Sequence, residues 1–184
     1  MKQKLNKKEK KDSTKKWFFT ILVVSFFLSL FFSYVSTNAL TGLGILPAII
    51  LILLVILIGI VFDIIGLAVT VASEEQFHAQ GTKKIASSRK AIKLIRNAPR
   101  VSNFCADVIG DIAGVLSGAM SAIVAMKIST NYGIDESIQY FISATVAALT
   151  IGGKALGKGF AIKHSNQIVN IVSKVMDKFA IKKK

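Results

Sequence analysis

A chain of 184 residues that is 52% hydrophobic, with a mean hydropathy of +0.56, is too apolar for an ordinary soluble domain built on one core. Its formal net charge of +14 would suggest nucleic acid in a soluble protein. The charge is distributed otherwise: strongly basic segments alternate with segments nearly free of Lys and Arg, the pattern of a membrane protein obeying the positive-inside rule, so no nucleic-acid partner is expected.

Residues 1–16 hold eight lysines and are expected to be disordered or to lie on anionic headgroups. Residues 17–36 follow as an N-terminal anchor, with Trp17–Val35 close to the roughly 20 apolar residues that a spanning helix needs. A Lys-rich start before an apolar run is also the layout of a secretory signal, and Thr37 and Ala39 form a weak cleavage site. The run exceeds the ~7–15 residues of a signal core, and Phe26, Phe27, Phe31 and Phe32 suit a permanent lipid-facing helix.

The segment 36–44 carries no charge. Gly42, Gly44 and Pro47 predict an outer turn and the start of a second helix, since proline sits well in a first helical turn. That second span covers Ile45–Ala72 with a single charge, Asp63, before Ser73-Glu74-Glu75 leads out to water. The loop 73–100 is basic, with Lys83, Lys84, Arg89, Lys90, Lys93, Arg96 and Arg100. It predicts one or two short helices separated by Gly81. In the second, Ile85, Ser88, Ile92 and Ile95 share a face, which fits either an interfacial helix or one packed on the bundle. Pro99 is expected to end it.

A third span is predicted over about 101–127 and a fourth over about 138–162, joined by a segment whose only charges are Asp135 and Glu136, with Lys127 at its edge. Gly110, Gly114 and Gly118 recur every four residues in the third span. Such a stripe predicts close helix packing in lipid. The fourth span is rich in Ala and Gly, so both should be in tight contact with each other or with the second. Residues 164–184 place Ile168, Ile171, Val172, Val175, Met176 and Phe179 on one side and Lys174, Asp177, Lys178 and Lys182 on the other. This is an amphipathic basic helix, lying on the membrane surface or packed beneath the bundle.

The fold class is therefore all-α and membrane-embedded. One extra N-terminal span precedes a three-span core over 45–163, with short amphipathic juxtamembrane helices. Lys and Arg cluster at both ends and in the loop 73–100, which places both termini in the cytoplasm of a cell membrane. Cys105 is the one cysteine, so no internal disulfide can form, and it reads as a packing residue. No nucleophile–base pair, phosphate loop or metal-ligand spacing points to an enzyme.

Asp63, Asp107, Asp111, Lys154 and Lys158 fall inside predicted spans, where each charge costs at least about 2.5 kcal/mol on insertion scales. They must pair, face water or bind an ion. Asp107 and Asp111 are four apart and so share one helix face. An oxygen-rich set of Asp63, Asp107 and Asp111 suits a hard cation such as Mg2+. Lys154 as a plain ion-pair partner, proton-coupled transport and Lys158 snorkelling to headgroups are the competing readings.

The stretch from Phe62 to Ile168 resembles the transmembrane domain of the cyclin-M/CorC (CorB-like) family of magnesium and cobalt transport proteins. Phe62-Asp63-Ile64-Ile65-Gly66-Leu67-Ala68 stands where the family has F-S-x-x-E-x-A. Gly81 and Ala91-Ile92-Lys93-Leu94-Ile95-Arg96-Asn97 match its juxtamembrane segment. Ile109-Gly110-Asp111 matches I-G-N, and Gly153-Lys154-Ala155-Leu156-Gly157-Lys158 followed by Ala161 matches G-E-x-x-P-K and its alanine. The resemblance implies divalent-cation (Mg2+ or Co2+) transport or its regulation, in a homodimer paired through its membrane helices. The departures are as telling. Family cation-site Ser, Asn and Glu become Asp63, Asp111 (or Asp107) and Lys154, and no cytoplasmic nucleotide-binding domains follow within the 184 residues. The alternative implied by Lys154 is a non-transporting scaffold or partner subunit held by a structural Asp/Lys cluster.

Overall fold

The computed structural model describes the backbone of residues 2–82 and 86–181, with side chains over 17–79 and 87–178. The described residues are helical apart from short connections. In chain order they form α1 (Lys2–Thr41), α2 (Ile45–Val71), α3 (Glu74–Thr82), α4 (Ala86–Arg96) and α5 (Ala98–Ser102). A π-helical segment (Asn103–Gly110) runs straight into α6 (Asp111–Tyr132), followed by α7 (Ile138–Lys163) and α8 (Ser165–Ile181). Four stretches are long and apolar enough to cross a membrane: Trp17–Thr41, Ile45–Val71, Ala98–Tyr132 and Ile138–Lys163. The chain is thus an all-α, multi-pass membrane protein with the four spans expected.

The local signals explain most boundaries. Gly133, at φ 64°, ends α6 in the left-handed conformation that glycine adopts without strain. Gly44 caps α2, with Pro47 inside its first turn. Two boundaries differ from expectation. Asn97 rather than Pro99 ends α4, and Pro99 opens α5, where a residue without an N–H leaves no hydrogen bond unmade. Gly81 lies within α3, which runs to Thr82, and α4 is described from Ala86. Ile85, assigned to the apolar face of α4, also lies outside the described residues.

Because spans are joined end to end, the turns at 42–44 and 133–137 share one side, and the start of α1, the α3–α5 region and α8 share the other. Two contacts tie this arrangement together. Arg100 lies 5.4 Å over the Trp17 ring at the basic side. At the opposite side the Lys127 ammonium donates to the carbonyls of Leu40 and Leu43 (2.7 Å to Leu43), which closes the C-terminal end of α1 onto α6. Acceptors at a helix C-terminus otherwise lack partners, and a cation there also complements the helix dipole.

α2 is the centre of the bundle. Towards the turns, its Ala48, Ile52 and Ile56 pack with Leu40, Met120, Val124 and Val146. Towards the basic side, Ala68, Val69 and Ala72 pack with Phe77, Ala91, Ala161 and Val169. α1 is peripheral: Ile21 and Leu28 touch Val108, Ile112 and Leu116, while Phe18, Phe19, Phe26, Phe27 and Phe31 stay exposed, as lipid-facing residues do.

Close approach of backbones centres on α2. An ideal Cβ on Gly59 would stand 2.8 Å from the Ala113 Cβ, and one on Gly66 would stand 3.2 Å from the Ser102 carbonyl oxygen. On the other flank, a Cβ on Gly157 would meet Ile64 at 2.8 Å, and one on Gly153 would collide with Ile60. The third and fourth spans thus both approach α2 closely, and they also meet each other through Ser121 and Ser143 and through Asp111 and Lys154.

Candidate functional site

Asp111 lies thirteen residues in from Ala98 and Lys154 nine in from Lys163, so both are interior to stretches long and apolar enough to cross a membrane. There the two side chains meet: Lys154 Nζ stands 3.3 Å from Asp111 Oδ1. Gly110 lies beside this meeting point: a Cβ there would stand in ordinary van der Waals contact, 3.6 Å from the Lys154 ammonium and 3.7 Å from the Gly59 carbonyl oxygen. The Lys154 side chain is 20% exposed and that of Asp111 70%.

The pair stands at one end of an open groove of about 460 Å3 between α6 and α7. Gly114 and Gly118 form its floor on α6, with Ser117, Ser143 and Thr150 adding hydroxyls. These hydroxyls are anchored on helix backbone or on each other. Ser117 donates to the Gly114 carbonyl, Thr150 to that of Val146, and the Ser121 and Ser143 hydroxyls lie 3.2 Å apart just beyond. The groove is thus mainly apolar, lined also by Val115, Val146, Ala147 and Ile151, with the ion pair and a few hydroxyls set into it.

The residues assigned from sequence separate at this point. Gly110 packs as expected. Gly114 and Gly118 do not pack within the chain: a Cβ at either would meet nothing within 4 Å. The carboxylates are not gathered. Among the described residues, no three His, Cys, Asp or Glu side chains form a group that could hold a metal ion. Asp111 pairs with Lys154, whereas Asp63, on α2, and the exposed Asp107 take part in no hydrogen bond or ion pair among the described residues. Lys154 stands beside Asp111 Oδ1, and Asp63, Asp107 and Asp111 do not converge as one three-carboxylate group among the described residues.

Sequence reasoning missed the groove's hydroxyls and the Lys127 clasp. Both left a signal: Ser117, Ser121 and Ser143 interrupt apolar spans, and Lys127 is a lone cation on the side poor in Lys and Arg.

On the basic side, Glu74 accepts from His78 (2.9 Å) and from Arg96 (2.8 Å), joining α3 to α4. The His78 hydrogen bond and then the Arg96 one hold the Glu74 carboxyl below its ordinary range. Lys90 reaches across to α8, bonding the Met176 carbonyl and Asp177 at 2.8 Å. Asn166 of α8 accepts the Ser73 N–H at 2.9 Å, at the mouth of α3. No protein-family model, curated protein or solved structure matches the chain.

Proposed function

We propose that this chain is a multi-pass membrane subunit of the divalent-cation transporter type that acts by regulation or assembly, its own lysine standing where a transported ion would stand. The observation that carries this reading is the Lys154–Asp111 pair, interior to two spans. A tethered ammonium sits beside Asp111, while a site for a mobile divalent ion needs several convergent oxygens. The order of motifs from Phe62 to Ala161 supports the transporter type. The basic side, with residues 1–16, the 73–100 loop and α8, faces the cytoplasm of a cell membrane by the positive-inside rule.

The chain works as a pair of identical copies joined groove to groove. A charged pair on a lipid-facing surface is costly. A two-fold axis over the groove would set each copy's Asp111 towards the other's Lys154, with Gly114 and Gly118 leaving room for the approach.

A second reading, direct conduction of Mg2+ or Co2+, is favoured by one observation: the Asp111 carboxylate is largely exposed to a hydroxyl-lined groove. Thermal melts of wild type, Lys154→Met and Lys154→Glu, each in chelator or in Mg2+ or Co2+, separate the two. The regulatory reading expects Lys154→Met to lose about 1–3 kcal/mol with no recovery in metal, because a polar partner is removed and no ion site remains. Recovery of both lysine variants by metal, with Mg2+ flux through the purified chain in vesicles, would replace it with the conduction reading.

A further inference from the structure

The side of α8 that packs against the protein is its small side. Ser165, Val169 and Ser173 recur every four residues, are almost fully buried, and lie in the region where α4 contributes Ser87, Ser88 and Ala91. Val169 and part of Ile168 pack on this core, whereas other large apolar side chains of α8 face outward. Ile171 is 62% exposed, Val175 49% and Met176 45%. Ile171 and Val175 are four apart and so stack on one face. An outward apolar ridge of this kind is favoured against an apolar medium.

That medium is at hand. α8 begins two residues after α7 ends at Lys163, and the last turns of α7 expose Leu156, Phe160 and Ile162, the surface of a span in lipid. α8 therefore leaves the hydrocarbon at the headgroup level. At 100° per residue, Lys178 and Lys174 fall beside Ile171 on the helix circumference. Both are exposed, and neither forms an ion pair among the described residues, since Asp177, on the opposite flank, is held by Lys90.

We infer that α8 is an in-plane membrane helix that seats on an anionic phospholipid leaflet, with Ile171 and Val175 entering the acyl boundary and Lys174 and Lys178 engaging lipid phosphates. Apolar burial and lysine–headgroup attraction act together in such helices, and the second falls off within a Debye length of the surface. The seat is mechanically connected. Asn166 holds the Ser73 N–H at the end of α2, and Lys90 clasps the far end of α8. Leaflet charge thus bears on the packing of α2, against which the third and fourth spans both pack.

The test uses the full chain in lipid nanodiscs, in a Cys105→Ser background with a fluorophore at Val175→Cys or, in a second protein, Ile171→Cys. Quenching by brominated acyl chains and by aqueous iodide is compared in phosphatidylcholine alone and with phosphatidylglycerol added. Both labels are expected to be quenched several-fold more by brominated lipid than by iodide, with a further rise in phosphatidylglycerol. Lys174→Gln with Lys178→Gln should abolish that rise and keep the basal lipid quenching. Quenching by iodide alone would mean a water-facing helix, and quenching by neither would mean a protein cover; each overturns the seat. A phosphatidylglycerol effect that survives loss of both lysines, or is absent in the parent, overturns the anionic part.

Discussion

Along α2, Gly59 and Gly66 let the third span approach so closely that an added methyl would collide at the first and be crowded at the second, whereas along α6, Gly114 and Gly118 face open space. Both pairs are glycines on membrane helices, and they do opposite things. What stands across from the glycine decides. The face of α2 that meets the third span finds Ser102, Cys105 and Ala113, short side chains that permit backbone approach. α6 at Gly114 and Gly118 looks across the groove to Ser143, Ala147 and Ile151 without reaching them. One crossing is finished within the chain. The other is an unfinished surface that carries charge and hydroxyls.

The difference is sharpest under substitution. Gly59→Ala brings a methyl to 2.8 Å from the Ala113 Cβ, and neither group can rotate away. Overpacking of this kind costs about 1–3 kcal/mol, so a clear fall in the detergent melting temperature is expected. Ala113→Gly in the same chain should recover most of the loss, because it removes the struck atom. A double variant no better than Gly59→Ala alone would mean that this crossing is not the constraint.

Lys127→Met comes next in size. It removes the donor that serves the Leu40 and Leu43 carbonyls, at an expected cost of about 1–3 kcal/mol for acceptors left unpaired. The loss should be local. Amide exchange at the end of α1 and in the 42–44 turn should quicken, while the α2–α7 contact around Gly157 keeps its protection. Uniform loss of protection would instead make Lys127 a support of the whole bundle.

The four spans were legible in the sequence because lipid demands long apolar runs and water demands charge between them, a coarse signal that survives detail. The α3–α4 loop and α8 were legible as helices for the same reason. Register was not legible. Nothing in Asn103-Phe104-Cys105-Ala106-Asp107-Val108-Ile109-Gly110 announces a π-helical turn. Partner choice along a stripe was not legible either. Gly110, Gly114 and Gly118 are equivalent in spacing, and only the crossing angle of α2 decides that the first is covered and the others are open. Likewise the periodicity of α8 set Ile171 and Val175 opposite Lys174 and Lys178, whereas at 100° per residue both lysines lie beside Ile171, and the protein packs against Ser165, Val169 and Ser173.

The smallest expected effect is the most discriminating. Gly114→Leu adds a bulky side chain where a Cβ would meet nothing within 4 Å, so the single copy has room for it. Surface changes of this kind stay within about 0.5 kcal/mol, and replacing a helical glycine favours the helix if anything. The melting temperature of the detergent-solubilised monomer is therefore expected to hold. In membranes the same change should abolish pairing, read by cross-linking of a cysteine placed at Gly118 in the Cys105→Ser background, because leucine occupies the space that a second copy needs. A monomer that melts lower would mean that α7 closes over the groove within one chain. Undiminished cross-linking would move the paired surface elsewhere and leave the Asp111–Lys154 groove facing lipid, where the ion pair alone must offset the cost of its own burial.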